Sequence, residues 1–137
     1  MSVVTHRASD GLLATMLLSY DAGVRDPNNE LVHLYEIRDA LSTKFGGENS
    51  VRAALTITSA QWSRLGQLCN HEPLRQGRHR GKSGEAMRDA SEAELAESRS
   101  IARAMIEAWR MGLGSLAHCS SNIHGLSLTS CSSGNLG

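Results

Sequence analysis

Apolar residues in this chain recur at every third or fourth position through one segment after another, and alternation with polar ones never extends beyond a few residues. In helical geometry that spacing lines the apolar side chains along one face, and only a second such face can cover them. A chain patterned this way has no material for a sheet. The expected fold is all-α, a small helical bundle of about four to five helices.

The punctuation sets the boundaries. Residues 1–8 read as a flexible polar lead. "SDGLLATMLLSYDAGV" then places Leu12, Leu13, Met16, Leu17, Tyr20 and Val24 on one stripe. Pro27 breaks it, because the residue before a proline avoids helical geometry, and the asparagines beside it suit turns and caps. Asn28 or Asn29 is expected to cap "ELVHLYEIRDALSTKF", where Leu31, Leu34, Tyr35, Arg38, Leu41 and Phe45 share a face widened by Ile37. Glu30 sits well against that helix's dipole, and Gly46-Gly47 suits its C-cap. "VRAAL" gives a short helix from Val51 to Leu55, interrupted by "TIT". Thr58 with Gln61 forms a capping box for a helix bearing Trp62, Leu65 and Cys69, which Pro73 closes. Ser91 with Glu94 is a second capping box, and it starts a helix with Leu95, Ala102, Met105, Ile106 and Trp109 inward.

At 137 residues the chain suits one domain, taken as residues 9–111. Residues 112–137 have no Asp, Glu, Lys or Arg and are rich in Ser and Gly, so they are expected to form a disordered tail. The three cysteines make no C-x-x-C pair, which argues against a disulfide scaffold and a structural zinc site. No apolar run reaches the roughly 18 residues that span a bilayer, and the start lacks a secretion signal. The expectation is a reduced cytoplasmic protein with no membrane partner, no metal and no cofactor. His33 with Glu36 lacks the second Glu-x-x-His repeat of a carboxylate metal site.

The formal net charge is zero, yet the charge is unevenly spread. From Arg52 to Lys82 stand Arg64, Arg75, Arg78 and Arg80 against the single acid Glu72, and "EPLRQGRHRGK" concentrates most of them in one Gly-rich loop. Acids gather from Glu85 to Glu97. Arginine forks match phosphate oxygens, so Arg64, Arg75, Arg78, Arg80 and Lys82 form a candidate nucleic-acid surface, with RNA favoured over DNA. The competing use of the loop is to neutralise the acidic start of the last helix. His79, between Arg78 and Arg80, is disfavoured as a cation and so suits a general base, while an arginine could stabilise a phosphorane.

A helical bundle with "LVHLYEIRDAL" in its second helix, followed by an Arg-to-His segment before a last amphipathic helix, resembles the HEPN superfamily. The resemblance implies a compact helical domain, often a homodimer, with metal-independent ribonucleases among its members. It assigns the catalytic roles to Arg75, Gln76 and His79. Arg75 and His79 are closer here than is usual in that family, and they lie in a loop.

Two other readings stand beside it. "SVRAALTITSAQWSRL" has the rhythm of a helix-turn-helix, with Thr58, Ser59, Gln61, Ser63 and Arg64 facing a major groove. A non-enzymatic interaction protein would instead dock a partner on Leu13, Leu17 and Tyr20.

Overall fold

The computed structural model describes the backbone of residues 2–78 and 86–124, and the side chains of 11–78 and 86–112. The chain is an all-α bundle. Helix α1 spans Ser2–Arg25, α2 Glu30–Phe45, α3 Glu48–Ala54, α4 Ser59–Gly66 and α5 Glu92–His124. A 3-10 turn, Pro27–Asn29, joins α1 to α2, and a π-helical turn, Gln67–His71, extends α4. Among the described residues there is no strand, only one isolated parallel bridge between Leu74 and Arg88.

Helix α2 is the central element and packs against every other helix. Its Leu31, Leu34, Ile37 and Leu41 are buried among Met16 of α1, Val51 of α3, Trp62 and Leu65 of α4, and Met105 of α5. Phe45 meets Trp109 edge to face at 5.8 Å, closing one end of the core. The expected terminators act as anticipated. Gly46 takes φ +83 and its N–H bonds to the Ser42 carbonyl, a left-handed C-cap that a Cβ would strain. Both capping boxes close: Thr58 with Gln61, and Ser91 with Glu94.

Three expectations need correction. Residues 2–8 continue α1 rather than forming a separate lead. On α1 the buried side consists of Met16 and Gly23, with Leu12, Leu13 and Tyr20 packed beside them, whereas Leu17, Leu18 and Val24 are 50%, 70% and 60% exposed. Helical spacing gave α1 two apolar sides, and α2 can cover only one. The backbone of α5 continues past Gly112 to His124. Residues 125–137, the rest of the expected tail, lie outside the described residues.

The third concerns the start of α2. Asn29, at the N-cap position, makes no side-chain capping bond; its Nδ2 donates instead to Asp26 Oδ2 at 2.8 Å. The Gln76 main-chain oxygen takes over, accepting from Leu31 N at 3.1 Å and Val32 N at 3.3 Å. Glu30 is only 4% exposed and faces Arg99 of α5, which grips both its carboxylate oxygens and also reaches Glu92. A buried carboxylate is tolerated when a bidentate guanidinium compensates it.

Candidate nucleic-acid interface

The loop after α4 is shaped by an absence that Pro73 creates. In an α-helix the Cys69 carbonyl would accept from the N–H four residues on, but residue 73 is proline and has none. The helix widens into its π turn, and Cys69 O accepts from Arg78 N at 2.8 Å. This bond folds the chain back onto the end of α4. Gly77 makes the approach possible, because a Cβ there would lie 2.8 Å from Cys69 O. The other side is fixed by the bridge: Arg75 N donates to Arg88 O at 2.9 Å and Arg88 N to Pro73 O at 3.0 Å.

Gln76 serves as the loop's latch. Beyond its carbonyl on α2, its side-chain oxygen accepts from Ala90 N at 3.0 Å and its amide donates to Asp89 at 3.4 Å. Arg75 lies 3.7 Å from Asp89, an exposed pair, and Asn28, Arg75, Gln76, Met87 and Asp89 line an open cleft of about 520 Å³. Two members of the HEPN-like set, Arg75 and Gln76, thus stand together at one cleft. The third, His79, lies outside the described residues, as do Arg80 and Lys82.

Arg64 is differently placed from the loop arginines. It grips Glu97 of α5 with two nitrogens, at 2.9 and 3.0 Å, and its charge serves to fasten α4 to α5. Arg88 does the same with Glu94 at 2.8 Å on each side, which together with the Ser91 cap holds the Glu94 carboxyl down to about 2. On α4 the Gln61 side chain is occupied in its capping box. Ala60 and Ser63 remain exposed on its outward side.

The arrangement that sequence reading missed lies on α2. The guanidinium carbon of Arg78 stands 4.5 Å from the centre of the Tyr35 ring, and that of Arg38 is 5.3 Å from the same ring and 4.5 Å from Trp62. Arg38 also donates to the Tyr35 hydroxyl at 3.0 Å and to the Trp62 carbonyl at 3.2 Å. Gly66 leaves room for it, since a Cβ there would sit 3.3 Å from the guanidinium. Among the described residues neither Arg38 nor Arg78 has a carboxylate within salt-bridge distance. Beneath them is Cys69, whose thiol burial pushes up to about 12 although both arginines pull the other way. It is an inert core group. The available signal was Tyr35 and Arg38, one turn apart in an otherwise apolar stripe.

His33 joins neither set. Its Nε2 lies 3.0 Å from Asp26 and its Nδ1 3.3 Å from Glu36, and the Asp26 bond leads in raising its pKa. Among the described residues, no three His, Cys, Asp or Glu side chains converge as metal ligands would, and no helix is long and apolar enough to cross a membrane. No protein-family model, no curated protein and no solved structure matches this chain.

Proposed function

We propose that this bundle binds single-stranded RNA on the face formed by Arg78, Tyr35 and Arg38, with the loop through Lys82 contacting neighbouring phosphates. The observation that carries the reading is the pair of guanidiniums, free of carboxylate partners among the described residues, gathered on one tyrosine. Arg64, Arg88 and Arg99, by contrast, are each paired with a carboxylate. A cation left beside an aromatic ring is suited to an anionic ligand from outside. Duplex DNA finds less to hold, because the polar groups a recognition helix would need on α4, Gln61 and Arg64, are bonded within the molecule.

The test is affinity for a single-stranded RNA across a salt series. Replacing Arg75, Arg78 and Arg80 by Ala should weaken binding and flatten the salt dependence by about 0.7 of a slope unit per lost phosphate contact. An unchanged slope would remove the loop from the interface.

Metal-independent cleavage is the sharper form of the proposal, resting on the HEPN resemblance. His79 would take the 2′-hydroxyl proton and Arg75 would stabilise the phosphorane, while Gln76 holds the loop in place. His79→Ala should then abolish cleavage while leaving RNA affinity nearly intact, a rate loss of about a hundred- to ten-thousand-fold. Cleavage that survives this change, or that a chelator stops, rules the mechanism out. The homodimer and the cytoplasmic setting belong to the same proposal. Sedimentation over a concentration range tests the first, and fractionation the second.

A further inference from the structure

Resting on the RNA-binding reading, we infer that Arg78 is a stacking platform for an unpaired nucleobase, so that the site reads bases as well as phosphates. The guanidinium lies 4.5 Å from the Tyr35 ring centre, close enough for the ring to support one face of its plane. Its backbone is fastened by the bond to Cys69 O and by the tight fit of Gly77, so the plane starts from a fixed root. The Tyr35 ring is itself held, through its hydroxyl, by Arg38. Arg78 is itself exposed at the surface. A planar cation with one face supported and the other open accepts a base in the manner of an aromatic ring, because every base has a π-face and the guanidinium is only weakly hydrated. The ligand class follows: a base that is unstacked and unpaired, in a single strand or loop, with little discrimination among the four.

Arg78→Lys separates stacking from charge. It keeps the cation and removes the plane. The probe is a ten-nucleotide oligoadenylate RNA, compared with an abasic oligomer of equal length and phosphate count. The wild type should bind the oligoadenylate roughly five- to hundred-fold more tightly than the abasic chain, as loss of one stacked base implies. Arg78→Lys should bring the ratio of the two affinities close to one, while the salt slope, which follows the retained cation, stays near that of the wild type. Tyr35→Leu should lose the advantage too, and thermal melting would show that both variants remain folded. If Arg78→Lys binds the oligoadenylate like the wild type, or if the wild type binds both probes equally, the platform is overturned while phosphate-based RNA binding stands. If the wild type binds no RNA, both readings fall.

Discussion

Gly77 decides where the basic loop lies. Its φ is not in the left-handed range, so the requirement is space rather than torsion: the Cys69 carbonyl occupies the position of a side chain. Gly77→Ala should therefore cost about 1–3 kcal/mol, the usual range for an overpacked site, and shift the loop arginines away from α2. Urea denaturation measures the first effect, and loss of RNA affinity the second. His33 carries a different kind of prediction. Both ring nitrogens face carboxylate oxygens, which can only accept, and a neutral imidazole has a single N–H to offer. The imidazolium can donate to both, the neutral ring to only one, so the site favours the charged form. Its pKa should lie above the usual 6.5, and Asp26→Asn should bring it down, as an NMR titration of the ring protons would show. An unmoved titration would remove Asp26 as the cause.

At the scale of elements, the helix ends explain most of what could be read in advance. Capping boxes are local: Thr58 with Gln61 and Ser91 with Glu94 satisfy their own amides across three residues, so a short window of sequence contains the whole interaction. Ser91→Ala and Thr58→Ala should each cost about 0.5–2 kcal/mol, measured by thermal or chemical unfolding. The N-terminus of α2 shows the opposite case. Its amides are satisfied by Gln76, more than forty residues away in the chain, and no spacing rule encodes that partnership. The same holds for Arg78 against Tyr35, and for Arg64, whose exposed-looking position in the sequence conceals a grip on Glu97. The loop was legible as basic; which of its charges were already taken was not.

For the whole molecule, stability should peak on a plateau between two titrations. Glu94 has its pKa lowered to about 2 from 4.5, so its contribution is complete above 4.5 and is lost as pH falls towards 2. The raised pKa of His33 works in the other direction: its contribution is complete below 6.5 and is lost as pH rises through the folded-state value. Urea midpoints across pH should fall on both sides, and Asp26→Asn should flatten the alkaline side alone. The all-α class and the inward face of α5 were readable because stripes on facing helices need only meet. The outward apolar arc of α1 was not, since periodicity alone cannot say which of two apolar sides α2 will cover.

The basic loop is anchored both where the described chain leaves it and where it resumes. Arg78 is tied to Cys69 on one side and Arg88 to Pro73 and Arg75 on the other, so the chain enters and leaves residues 79–85 from two anchored points. Lengthening this stretch with glycine and serine should cost only about 0.6 kcal/mol for each doubling of its length. Thermal melting would register each doubling as a fall of about 2–4 °C.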